Sequence, residues 1–219
     1  MLLSVAKEPI LRADARRSST AVKEERLLPV DVIDKLYAWA NATLTAGGPE
    51  TPIAALVLVL LGTAARRMEL QAFKVQDFTS GLNGPMVCFR IAKGNKTGDV
   101  VPLTPEAWRA YRAWLAWKQA HGESVEPTAP VFCGRPGEHM GLVTIWRHWK
   151  AALAAVGVTK SKHGVHASRH AAAYLLFRST KDYSSVKRLL RHTSVKTTED
   201  FYEHFDLNAL RSEMVKAGL

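Results

Sequence analysis

The sequence predicts a mainly α fold carrying one small antiparallel β-sheet, an α+β arrangement. Three observations lead there. Apolar residues recur at helical spacing over most of the chain. The period shortens to two only around residues 86–103, where two alternating runs flank a polar loop. Gly and Pro clusters fall between these blocks rather than inside them.

Residues 1–23 mix charge with Ser and Thr and include Arg12, Arg16 and Arg17, so they read as a basic arm or linker. The globular part is expected over residues 24–219 as one domain. Pro29 and Asp31 open a helix through Val32, Leu36, Tyr37 and Ala40, ended by Gly47, Gly48 and Pro49. An apolar helix follows from Pro52 to Thr63, then a short one from Arg67 to Phe73. Residues 73–78 offer a third strand to the hairpin that comes next. In that hairpin, Met86, Cys88, Arg90 and Ala92 alternate with Val87, Phe89 and Ile91. Val100, Val101 and Leu103 return after the loop that holds Lys93 and Lys96.

Thr104 and Pro105 supply an N-cap and a first helical residue for a helix to His121, with Trp108, Tyr111, Leu115 and Trp117 along it. A Pro- and Gly-rich loop spans Glu126 to Gly137. Further helices are expected near 142–156, 167–178, 183–191, 197–204 and 207–217.

The net charge is +10, from 30 Lys and Arg against 20 Asp and Glu, which favours a polyanionic partner, nucleic acid ahead of an anionic membrane. The longest apolar run, Ile53 to Leu61, suits a buried helix and is too short to span a bilayer. The first residues lack the layout of a signal peptide. Cys88 and Cys133 form neither a metal-type nor a redox-type pair, so a reduced, cytoplasmic setting is expected.

Several basic residues and one tyrosine stand out, each against a plainer reading. His166 and Arg169 are three apart at a helix start, where an anion is favoured, although any basic helix can contain such a pair. Arg66 ends an apolar helix, so its stem leaves the core and its guanidinium is held; the plainer reading is a snorkelling surface arginine, a role that suits Arg67 better. Lys93 and Lys96 sit on the hairpin loop and reach over a cleft, or are ordinary solvated turn lysines. His192 precedes Thr197 and Thr198, which cap a helix carrying Tyr202 in its second turn. Tyr202 is either a nucleophile or a half-buried packing residue, and Phe201 and Phe205 fit the packing face better. His166 and His170 are spaced for zinc on one helix face, but no acidic residue lies between them and no third ligand is evident, so no metal and no cofactor are expected.

Taken in order, these segments resemble the tyrosine recombinase (phage integrase) family. Thr63 to Leu70 looks like that family's Thr-Gly-Leu-Arg-x-x-Glu-Leu motif. Ala92 to Lys96 with Val101 to Leu103 resembles its lysine hairpin, and His166 to His170 its His-x-Leu-Arg-His box. Leu190 to Thr198 resembles the Leu-Gly-His-x-Ser-x-x-Thr-Thr run, and Thr197 to His204 the nucleophile segment. Five ordered motifs over about residues 24–205 are far more specific than any one of them. The chain departs at Ala64 for Gly, Ser168 for Leu and Arg191 for Gly; Ser168 is expected to loosen packing under its box.

The resemblance implies DNA cleavage and rejoining with Arg66, Lys93, His166, Arg169, His192 and Tyr202 as catalytic residues. Lys96 rivals Lys93, and a spacing shorter by one residue puts Phe201 in place of Tyr202 and leaves the protein inactive. Family members carry a helical core-binding domain ahead of this one, expected to be absent from a chain with residues 1–23 in that place. Double-stranded DNA is the implied partner. The amphipathic segment Leu207 to Lys216 is expected to pack on a neighbouring protomer or on its own domain. A DNA-binding regulator without catalysis and a type IB topoisomerase are the competing readings.

Overall fold

The computed structural model describes residues 27–90, 98–159 and 163–191. Helix α1, Val30–Ala46, buries Val32, Ile33, Leu36, Ala40 and Leu44 along one stripe. Gly47 ends it at φ 70°, where its N–H donates to the Thr43 carbonyl. Helix α2, Thr51–Thr63, is apolar and buried on nearly every side because α1 covers it on one flank and three later helices, α4, α5 and α6, on others. Those three span Pro105–Ala120, Leu142–Ala155 and His166–Thr180. Gly62 faces α4 so closely that a Cβ there would lie 2.3 Å from that of Ala107. Glycine at this point is what lets the two helices meet.

Helix α3, Arg67–Ala72, leads into the sheet. The stretch expected as a third strand over 73–78 is instead mostly a turn. The Asp77 carboxylate accepts the Lys74 N–H at 2.9 Å, closing a 3-10 turn over Val75–Asp77. A third strand does exist, displaced along the chain: β1 is Phe78–Gly81, β2 Gly84–Phe89 and β3 Asp99–Pro102. They pair antiparallel in that order, with Val87 opposite both Phe78 and Val101. Val87, Phe89 and Val101 point inward, as the alternation predicts. Phe73 meets Phe78 and Phe89 edge-on at 5.1 Å, and Phe78 stacks on Tyr111 at 4.2 Å, which fixes the sheet against α4.

The Thr104 hydroxyl caps α4 by accepting the Ala107 N–H at 3.2 Å, as its sequence position predicts. Its buried stripe is Ala107, Ala110, Tyr111, Trp114 and Lys118. Trp114 is therefore the central tryptophan, and Trp108 and Trp117 lie on its flanks, partly buried. Helix α6 starts one residue earlier than expected, at His166. Helix α7, Tyr183–Leu190, is capped by Asp182, whose carboxylate accepts the Ser184 and Ser185 N–H groups. The expected helices near 197–204 and 207–217 and the hairpin loop lie outside the described residues. Among the described residues, no helix is long and apolar enough to cross a membrane.

Candidate active site

The end of α2 builds the first wall of the site. Ala64 adopts the left-handed conformation at φ 50° and ψ 32°, and its N–H donates to the Leu60 carbonyl. A side chain at that φ costs ~1–2 kcal/mol, which is why glycine usually fills such a position. The Thr63 hydroxyl steadies the turn by donating to the Val59 carbonyl and accepting the Ala65 N–H. Arg66 follows in extended backbone, as the N-cap of α3 rather than the last residue of α2.

Glu69 then holds Arg66 twice. One carboxylate oxygen accepts the Arg66 backbone N–H at 2.7 Å, one half of a capping box, and the other accepts Nη1 at 2.7 Å. Glu69 is 4% exposed and Arg66 30%, so a buried anion aims a half-exposed cation outward. The guanidinium is fixed, as expected, but by a carboxylate rather than by the exit of its stem from the core. Its neighbour Arg67 is exposed, in keeping with the solvated role assigned to it.

Helix α6 supplies the second wall. The box residues His166 and Arg169 differ in burial. His166 is exposed and meets the His170 ring edge-on at 4.5 Å, whereas Arg169 is 2% exposed. The Arg169 guanidinium reaches inward: Nη1 donates to the Ala64 carbonyl at 2.7 Å, and Nη2 donates to the Leu190 carbonyl. One arginine thus ties the turn before Arg66 to the end of α7, just before His192. Ser168 is fully buried, and its hydroxyl donates to the Val165 carbonyl at 2.7 Å.

The third wall is Arg191, a residue sequence reasoning noticed only as a departure. It ends α7 in the left-handed region, φ 52° and ψ 40°. Its side chain is 4% exposed, and its guanidinium carbon stands 3.5 Å from the centroid of the Phe89 ring. Nη2 donates to the Glu69 carboxylate at 2.6 Å, while Nη1 donates to the carbonyls of Leu189 at 3.0 Å and Thr63 at 3.4 Å. Burial works against its positive charge and lowers its pKa; the Glu69 anion opposes that shift, and nearby Arg66 adds to it.

Two motif segments, Thr63–Leu70 and His166–His170, and the described start of a third, Leu190–Arg191, therefore converge on one cationic cluster around the Glu69 carboxylate. Such a set is suited to an anionic group with several oxygens, because guanidinium forks match phosphate geometry. Lys93, Lys96, His192, Phe201 and Tyr202 lie outside the described residues, so their places at the cluster are not fixed by the structure. Glu69 and Phe89 were quoted only as parts of a motif and a strand. Glu69 had one usable signal, an acidic residue three after an arginine at a helix start.

The family model for the phage integrase family matches residues 26–208. Tyrosine recombinase XerH of Helicobacter pylori is 25% identical over 155 residues, covering 71% of this chain and 41% of the relative. Tyrosine recombinase XerC of Rhizobium meliloti is 31% identical over 147 residues, covering 67% of this chain and 43% of the relative. Matches to both relatives thus cover less than half of their length. Among solved structures, a XerH site-specific recombinase bound to a palindromic difH substrate in a post-cleavage complex superposes with a TM-score of 0.68 at 20% identity. That match covers 87% of this chain and 53% of the other. The helical architecture with its three-stranded sheet is thus shared with solved recombinases, and with residues 26–208 matched, the chain belongs to the phage integrase family.

Proposed function

We propose that residues 24–219 form the catalytic domain of a site-specific DNA recombinase that cuts and rejoins strands through a 3′-phosphotyrosyl intermediate. The observation that carries this reading is the Arg169 clasp, which draws the Ala64 and Leu190 carbonyls together, and so brings the turn before Arg66 and the end of α7 onto one centre. A phenol with a pKa near ~10 is ionised in only about one molecule in a thousand at neutral pH, so the site must both take that proton and stabilise the charge on phosphorus.

In this reading the Tyr202 oxygen attacks the scissile phosphorus and its proton passes to His166. Arg66 forks onto the non-bridging oxygens from its Glu69 anchor, and His192 donates to one of them. Arg169 reaches the phosphate by exchanging a backbone carbonyl for a phosphate oxygen. Lys93, with Lys96 as its rival, protonates the departing 5′ oxygen as the phosphorus–oxygen bond breaks. The ester energy stays in the tyrosyl bond, so a second strand's 5′ hydroxyl reverses the step without ATP or metal. The relatives' names as tyrosine recombinases, and the DNA substrate in the XerH structure, support double-stranded DNA as partner. Assembly on that DNA uses the amphipathic segment 207–216, and deleting residues 206–219 is expected to weaken synapsis; unchanged assembly sinks that part.

The test is a nicked suicide duplex built from sequences the protein selects out of a random pool. Active protein is trapped covalently, and Tyr202→Phe is not. Trapping that survives Tyr202→Phe moves the nucleophile elsewhere. Binding without trapping on every selected duplex leaves a regulator that does not cut. Relaxation of supercoiled plasmid with no site requirement indicates a topoisomerase.

A further inference from the structure

We propose that Arg191 is a positioning residue for Arg66, acting through the carboxylate they share. The idea rests on the recombinase reading for its consequence, but not for its geometry. Glu69 accepts three donors: the Arg66 backbone N–H, Arg66 Nη1 and Arg191 Nη2. Arg191 occupies the carboxylate oxygen that Arg66 does not reach with its guanidinium. Arg66 is consequently held at one point rather than by a full fork, and part of the Glu69 charge is spent on a second cation. Arg66 keeps donors and charge for a phosphate.

Two further features single out Arg191. It occupies a left-handed position at φ 52°, where glycine is favoured and where the family motif has glycine. Its guanidinium is also fixed from three sides, by the Phe89 ring, by Glu69 and by the Leu189 and Thr63 carbonyls. A buried side chain in so unfavourable a backbone state needs a gain elsewhere, and its shortest contact is the Glu69 carboxylate. Without Arg191, Glu69 is released to take Arg66 in a closed, charge-cancelled pair turned away from the DNA.

Arg191→Gly tests this, because glycine accepts the backbone conformation; Arg191→Asn, also tolerant of it, is the second variant should the first not fold. The expected result is covalent trapping roughly tenfold slower at saturating DNA, with DNA affinity within about twofold of the parent chain. In a Glu69→Gln background the same change should cost nothing more. An equal cost in both backgrounds means that Arg191 acts on the His192 backbone instead, and overturns the proposal, as does full-rate trapping by Arg191→Gly. The Arg66 side-chain Nε–Hε resonance reports the pairing without any reaction. It should shift on Arg191→Gly with Glu69 present and stay put when Glu69 is Gln; no shift in the first case also overturns the proposal. A parent chain that never traps DNA, yet shows that resonance pattern, refutes the recombinase reading and leaves the positioning role standing.

Discussion

Lys118 and Arg191 are both buried cations at the ends of helices, and they do different things. Lys118 is fully buried at the end of α4, where its ammonium donates to the Pro130 carbonyl at 2.7 Å and more weakly to that of Val131 at 3.4 Å. Glu123 stands 3.6 Å away and Cys133 Sγ 3.2 Å away. Trp114 adds a second bond from the same helix to the Val131 carbonyl. These contacts staple the loop that follows α4, whose carbonyls lack a full ladder of their own. Arg191 also binds carbonyls, but its carboxylate partner simultaneously holds a half-exposed arginine. Lys118 spends its short contacts on carbonyls of the neighbouring loop, so its effect is on stability. A cation that shares a partner with a solvent-facing group passes its effect to whatever that group binds.

This contrast is sharpest if the two regions respond in different assays. Arg66→Ala should leave the fold intact and slow covalent trapping by about 10²–10³-fold, the usual loss when one preorganised donor to a developing charge is removed. A loss under tenfold in single-turnover trapping would mean that Arg66 is not at the phosphate. Lys118→Ala should do the reverse. It takes the short ammonium bond from the Pro130 carbonyl and leaves Val131 only its Trp114 partner, and it is expected to cost about 3 kcal/mol in urea denaturation, with an unchanged trapping rate for the protein still folded. A slowed reaction at constant stability would erase the distinction between the two regions. The smallest effect belongs to Ala64→Gly, which relieves a left-handed alanine and should stabilise the fold by about 0.5 kcal/mol, read as a small rise in melting temperature. A clear drop would show that the Ala64 methyl packing outweighs the backbone strain.

Much of the architecture was legible because it is local. The 3.6-residue period marks α1 and α2, the period of two marks β2 and β3, and Thr104-Pro105 marks the start of α4. The errors share a cause. Residues 73–78 carry strand-like composition, but the Asp77 side chain caps a turn there while the Val75 and Gln76 N–H groups donate to the distant Ala129 and Pro127 carbonyls. Lys118 drew no attention in the sequence, and the loop carbonyls that meet its ammonium are what make its burial tolerable. At the described part of the site, Arg66 and Arg169 could be picked out as candidates, but not what holds them. Glu69 and Arg191 are 122 residues apart, so nothing in the local pattern announces that they meet. The inward aim of Arg169 was likewise hidden, because i and i+3 place two side chains on one flank without saying how far each reaches.

The long-range clasps also set a timetable for the newly made chain. Arg66 and Glu69 can pair as soon as α3 leaves the ribosome, since only three residues separate them. Arg169 can reach the Ala64 carbonyl once α6 has emerged, but its hold on Leu190, and the Arg191 contact with Glu69, must wait for the end of α7. At ~5–20 residues per second, the 122 residues from Glu69 to Arg191 take roughly 6–24 s to synthesise. Throughout that interval the Glu69 carboxylate cannot yet be shared with Arg191, so the cationic cluster is completed only once α7 has been made.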